Sequence, residues 1–231
     1  MKLRTNLHLH TSDDQEDFIE YSFIDALNTA KIYGFECLAL TCHNTFVDRE
    51  DYRKAAEALG ILLIPGVEKT IEKRHVVVLN PDRDIDAVKT FAELFAYKKT
   101  HPQIFILAAH PYFPGGYSLQ EKLEEHLALF DAIEHSWFYS KRVNFNEKAE
   151  RLAEASHIPF IATSDTHDLK FLDTNYAEIE VKEKTIPAIF EAIRNNNFTN
   201  TTFPRKLFRE MTAHVLTRHI ANHLERRKKR G

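Results

Sequence analysis

Apolar strand-like runs alternate with amphipathic stretches throughout this chain, and five of those runs lead into residues that bind metals. LRTNLHLH ends on His8 and His10, ECLALT leads to His43, ILLIPGV to Glu68, IFILAA to His110, and FIATS to Asp165 and His167. A parallel β/α barrel gathers the C-terminal ends of its strands on one face, so residues distant in sequence converge there. Neutral imidazoles and carboxylates brought together in this way suit borderline divalent metals such as Zn, Mn or Fe. The pattern points to a hydrolase.

The stretches between the strands read as crossover helices. FIDALNTAKIYG is amphipathic and closes at Gly34, and DREDYRKAAEALG closes at Gly60. A helix is expected from about residue 84 to 99, another near 119 to 129, and two more over VNFNEKAERLAEASH and TIPAIFEAIRNN. HVVVL, DAIEHSW and YAEIEVK complete the strands. About seven such units argue for an α/β fold that closes into a single distorted (β/α)7-type TIM-like barrel with a C-terminal helical extension. At 231 residues one domain suffices, with the barrel over 1–200 and a terminal helix and basic tail over 201–231.

In that tail Leu216, Ile220 and Leu224 stand four apart, a face that could cover the barrel or pair with a second copy as a homo-oligomer. His219 and His223 share the same spacing, which can chelate a metal or simply lie on a solvated face. The basic cluster Arg226 to Arg230 reads as a solvated tail. A net charge of −3 supplies no global field toward nucleic acid or membrane. No apolar run approaches a membrane span, and MKLRTNLHLH lacks the apolar segment of a secretory leader. Cys37 and Cys42 are odd-spaced within one strand-like segment, so they face opposite ways and do not bridge. A cytoplasmic protein with no membrane, protein or nucleic-acid partner evident is the expectation.

His8 and His10 are two apart in a strand and share a face, and Asp13 and Asp14 follow at once in a loop that can reach the same cavity. With LTCHN, IPGVE, LAAHP and TSDTH after LHLHTSDD, from residue 7 to residue 167, the chain resembles the polymerase and histidinol phosphatase (PHP) superfamily. That family carries an HxH on its first strand, a T-D-H-N-like motif, a Glu after P-G, an A-H-P and a late S-D-x-H. The chain departs from it in places. Cys42 stands where an Asp is usual, as a packing residue or a thiolate ligand. The first motif is shortened, so Asp13 and Asp14 compete for a ligand role, with Asp17 a third choice. His75 is the candidate for the His that the family places on a hairpin strand.

The resemblance implies two or three divalent cations (Zn, Mn or Fe). His8, His10, Glu68 and Asp165 would hold one, and Glu68 would bridge to a second held by His75 and His110. His43 and His167, with Asp13 or Asp14, would hold a third. Glu68 and Asp165 would then be the catalytic carboxylates of a phosphoesterase. Metal-bound hydroxide would attack a phosphate monoester of a small metabolite or nucleotide. The alternatives are a phosphodiesterase or amidohydrolase on the same metals, or a non-catalytic accessory domain. His135 is a candidate general acid or a pocket wall, and Glu134 beside it a substrate contact. Lys141 and Arg142 fit a second phosphate or a solvated helix start. The aromatics Tyr112, Phe113, Trp137 and Phe138 could stack a base or sugar, or pack beneath loops.

Overall fold

The computed structural model describes residues 1–204 together with Leu216, Thr217, Ile220 and Asn222; His219, His223, Leu224 and the basic cluster 226–230 lie outside the described residues. The elements run β1 (Lys2–Asn6), α1 (Phe23–Ile32), β2 (Cys37–Leu40), α2 (Glu50–Ala58), β3 (Leu62–Ile71) and β4 (Arg74–Leu79). A 3-10 turn at Arg83–Ala87 precedes α3 (Phe91–Thr100), β5 (Phe105–Ala108), α4 (Glu121–Glu125), β6 (Ala132–Ser136) and α5 (Glu147–Ser156). The last elements are β7 (Phe160–Thr163), β8 (Asn175–Glu180), α6 (Ile186–Arg194) and β9 (Phe198–Thr202).

Local chemistry accounts for most of these bounds. Ser22 and Asp25 form a reciprocal cap at the start of α1, and Thr90 and Glu93 do the same for α3. Gly34 and Gly60, at φ of 74° and 70°, follow α1 and α2 in the left-handed conformation that ends a helix. Among the described residues, no helix is long and apolar enough to cross a membrane.

The strands form one sheet in the order β7-β6-β5-β4-β3-β2-β1-β8-β9. It is not parallel throughout, as the alternation of strands and helices suggests. β1, β2 and β3 are parallel, as are β5, β6 and β7, but β4 runs antiparallel to both neighbours and β8 antiparallel to β1. Only Glu72 and Lys73 join β3 to β4, at φ of 48° and 68°. Two residues with positive φ make a tight hairpin turn and leave no room for a crossover helix. β9, antiparallel to β8, carries the sequence FTNTT, too polar and exposed to announce a strand, and it runs to Thr202, past the boundary expected at 200.

Near closure of the barrel comes from β1, which changes partner along its length. Its lower part pairs with β8, from Lys2 opposite Glu180 to Thr5 opposite Ala177. Above, Leu9 bridges Thr166 in the segment after β7, where His10 N–H donates to Thr166 O (3.0 Å) and Thr166 N–H to His8 O (3.1 Å). One apolar cluster unites Leu3, Ala39, Ile64, Val77, Leu107, Ala132, Ile161 and Ile179 with Phe190 and Ile193 of α6. Strand alternation carries the same face upward to polar residues: Ile64 leads through Gly66 to Glu68, and Ile161 through Thr163 to Asp165. At Gly66 the backbones crowd, since a Cβ there would lie 3.0 Å from Leu79 and Thr41 side-chain atoms and 3.2 Å from Leu40 O.

Candidate metal centre

Glu68 is the centre of the site. It projects from β3 with no solvent exposure, and its two oxygens divide the surrounding imidazoles. Oε1 lies 3.0 Å from His75 Nδ1 and 2.9 Å from His110 Nε2; Oε2 lies 3.3 Å from His8 Nε2, 3.3 Å from His10 Nε2 and 3.0 Å from His43 Nε2. Asp165 Oδ1 joins from the end of β7, 3.5 Å from His8 Nε2 and 3.4 Å from His10 Nε2. His75 reaches the centre because the β3–β4 register sets it opposite Thr70, on the face that carries Glu68.

The donor set fits a cation. His8 Nε2, His10 Nε2, Glu68 Oε2 and Asp165 Oδ1 are buried atoms that make no hydrogen bond. Four ligands about 2.0–2.1 Å from a tetrahedral ion lie about 3.3 Å from one another, and the four imidazole-to-carboxylate distances within this set, 3.3, 3.3, 3.5 and 3.4 Å, lie near that value. Two further groupings of potential ligands occur, His43 with Glu68 and His75, and His10 with His43 and His167. The first expected set, His8, His10, Glu68 and Asp165, thus converges as a group; His75 and His110 converge on the other oxygen of Glu68.

The carboxylates of the first loop are placed differently from expectation. Asp14 does not face the centre. Its Oδ2 accepts from His10 Nδ1 (2.9 Å), His43 Nδ1 (2.8 Å) and His43 N–H (2.8 Å), while Oδ1 accepts from Glu16 N–H and Asp17 N–H (both 2.9 Å). It therefore fixes two rings so that each presents Nε2 inward. Asp13 is turned away, held by Thr11 Oγ1 (2.8 Å), Tyr52 Oη (2.9 Å) and Arg49 (3.8 Å). The loop carboxylate that reaches a ligand is Asp17, with Oδ2 3.4 Å from His167 Nε2. Three polar residues, Thr11, Ser12 and Asp13, separate His10 from Asp14 and let the loop arch, so the acid four positions beyond His10 folds back to the Nδ1 edges of the rings and the one seven beyond reaches His167.

Glu134 also has a different role from the substrate contact expected of it. It has no solvent exposure; Oε1 accepts from His8 Nδ1 (3.0 Å) and from Thr163 Oγ1, and Oε2 from His110 N–H. It follows Ala132 on the inward face of β6, the sequence signal that separates it from a surface acid. His135, the next residue, faces the other way. Its ring packs on Phe160 and Tyr139 (both 5.1 Å), Asn175 Nδ2 donates to its Nδ1 (3.3 Å), and burial lowers its pKa. The geometry does not bring this candidate general acid to the cluster. Lys141 and Arg142 are exposed in the loop after β6, and the aromatics Trp137 and Phe138 are buried against Phe113, Phe145 and Phe171.

Burial opposes charge at these rings and carboxylates; at His75 it prevails and lowers the pKa, whereas at Glu68, Asp165, His8, His10 and His43 the mutual attraction prevails. Glu68 and Asp165 are held well below the usual carboxylate range by the surrounding imidazoles. His8 and His43 are raised well above the usual imidazole value, with Glu68 the largest opposing cause, and His10 is raised to about 9, against burial and His43, by its bond to Asp14 and the proximity of Asp165 and Glu68. Burial pushes the Cys42 thiol up to about 12, and the side chain packs in an apolar cluster with Leu9, Leu40 and Phe23. His110 and Asp165 have φ of 29° and 44°, a left-handed backbone that non-glycine residues adopt at a cost of about 1–3 kcal/mol each.

A PHP-associated family model matches residues 143–198. The PolC-type DNA polymerase III of Staphylococcus saprophyticus is 26% identical over 215 residues, 87% of this chain and 15% of the polymerase. A two-domain protein from Bacteroides vulgatus containing a predicted PHP-like metal-dependent phosphoesterase superposes with a TM-score of 0.66 at 19% identity, over 87% of this chain and 65% of that one. These matches support the resemblance of the chain's motifs to the PHP superfamily. Endonuclease Q in complex with a 27-mer duplex bearing an abasic lesion shares the fold, with a TM-score of 0.67 at 16% identity, over 88% of this chain and 60% of that one. The chain spans less than two thirds of the length of each of these proteins.

Proposed function

We propose that this protein is a metal-dependent hydrolase that cleaves phosphate monoesters of a small metabolite or nucleotide. The observation that carries the reading is the buried quartet of His8 Nε2, His10 Nε2, Glu68 Oε2 and Asp165 Oδ1, spaced as the ligands of a tetrahedral ion. When bound, divalent cations supply Lewis acidity, which polarises a phosphoryl group and acidifies water.

The protein's own residues set the terms of that chemistry. Glu68 offers one oxygen to each side of the cluster and so would hold two cations close together. His75 and His110 would complete the second site, and His43, His167 and Asp17 a third. Asp14 and Glu134 orient the rings through their Nδ1 atoms. Neutral imidazoles outnumber carboxylates at the centre, so loaded cations would leave an excess of positive charge that favours an anionic substrate. Lys141 and Arg142 would extend this preference to a second phosphate.

The likeness to endonuclease Q favours a phosphodiesterase as the second reading. The test is a panel of phosphomonoesters, phosphodiesters and amides, assayed with the metal-stripped protein and after loading with Mn or Zn. Metal-dependent turnover highest on monoesters is the expected result. Faster cleavage of diesters would transfer the assignment to the second reading. Preference for amides would overturn both, and cation binding without hydrolysis of any class would leave an accessory domain.

A further inference from the structure

Asn222 is separated from the first loop by about two hundred residues of sequence, yet its amide grips that loop at two adjacent points. Nδ2 donates to Asp17 Oδ1 (2.7 Å), and Oδ1 accepts from the backbone N–H of Phe18 (2.7 Å). The other oxygen of Asp17 lies 3.4 Å from His167 Nε2. A single carboxylate thus links the C-terminal segment to the candidate metal centre.

The loop is already fastened from beneath, where Asp14 Oδ1 accepts from the N–H groups of Glu16 and Asp17. Those bonds reach the Asp17 backbone, and Asn222 reaches its side chain. Of the third site's ligands, His43 and His167 are neutral when they bind a cation, so Asp17 contributes charge there as well as an oxygen. Asn222 acts on the carboxylate itself. Its donor orients the carboxylate, and its acceptor binds the next peptide, so rotation of the amide would break both bonds.

We infer that Asn222 is a positioning residue that sets occupancy of the third cation site by aiming Asp17 at His167. The inference rests on the metal-centre reading and deepens it: the C-terminal segment becomes a control on one cation, leaving the Glu68-centred pair unaffected.

The experiment is a Mn titration of the full chain, followed by calorimetry and by the electron paramagnetic resonance of bound Mn, for wild type, N222A, N222D, D17N and N222A/D17N. N222D keeps the acceptor for Phe18 but sets a carboxylate against Asp17. Expected is a fall in affinity confined to the weakest site, about 10-fold to 100-fold in N222A, larger in N222D, with the tighter sites and the melting temperature of the metal-free protein unchanged. N222A should add nothing in the D17N background. Wild-type isotherms for N222A and N222D, equal weakening of all sites, or a further loss in N222A/D17N would each overturn the inference. The failure of the underlying reading is distinct, because a protein that takes up no Mn at all would refute the metal centre itself.

Discussion

Asp14→Asn is the most discriminating single substitution in this protein. The carboxylate uses both oxygens as acceptors, one for two ring Nδ1–H groups and the His43 N–H, the other for two loop N–H groups. An amide of the same shape offers one acceptor and one donor. With its oxygen toward the rings, the NH2 faces the Glu16 and Asp17 N–H groups; with the amide reversed, it faces His10 and His43. Either orientation leaves buried donors opposed, a defect worth about 1–3 kcal/mol of stability. The negative charge that favours both rings is lost as well, and removing one such partner weakens metal binding about 10-fold to 100-fold. Because Asp14 serves two rings, the upper end of that range is expected. Urea denaturation of the metal-free protein and Zn titration against a competing chelator measure the two effects separately. A variant with wild-type Zn affinity would refute the argument that ring orientation is set from beneath, and a loss of stability with no loss of affinity would reduce Asp14 to a loop fastener.

Glu68→Gln removes a charge that two cation sites share, so turnover should fall by at least about 100-fold with bound metal reduced in elemental analysis; normal turnover would contradict its bridging position. Cation uptake should release protons, because His10 titrates near 9 in the absence of metal and is protonated at neutral pH. Affinity should accordingly rise as pH is raised toward that value, and calorimetry in buffers of different ionisation enthalpy should detect a release of about one proton or more per chain, whereas heats independent of buffer would exclude it. Replacing Lys141 and Arg142 with Ala should raise KM for bisphosphates and leave kcat nearly unchanged, with simple aryl phosphates hardly affected; equal losses on both substrates would dismiss a second-phosphate contact.

The ligands that end strands were legible because each combines an apolar run with a polar residue at its C-terminal edge. His8, His10, His43, Glu68, His110 and Asp165 all belong to that class, and the structure gathers them. The sheet directions were less legible, since apolar strand cores look alike whether a neighbour runs parallel or antiparallel. Here the Glu72-Lys73 turn decides the matter through backbone angles that neither residue type advertises. The supporting acids were hardest to read. Asp13, Asp14 and Asp17 are chemically equivalent in sequence, and only the arch of the loop assigns one to Tyr52, one to the rings and one to His167. Glu134 and His135 were paired as one pocket wall although strand alternation alone separates them.

The change of partner along β1 has a consequence for how the chain acquires its site. Asn6 meets Ser164, 158 residues further along, and the Leu9–Thr166 bridge sits just above that contact. His8 and His10 therefore cannot meet Asp165 until most of the barrel has been assembled, and closing so long a loop is the kind of non-local event that slows folding. During synthesis the two histidines leave the ribosome before their acidic partner and wait for it. A cation captured by that quartet would act as a clasp on the last seam to form, opposing escape from the finished barrel more than hastening entry into it.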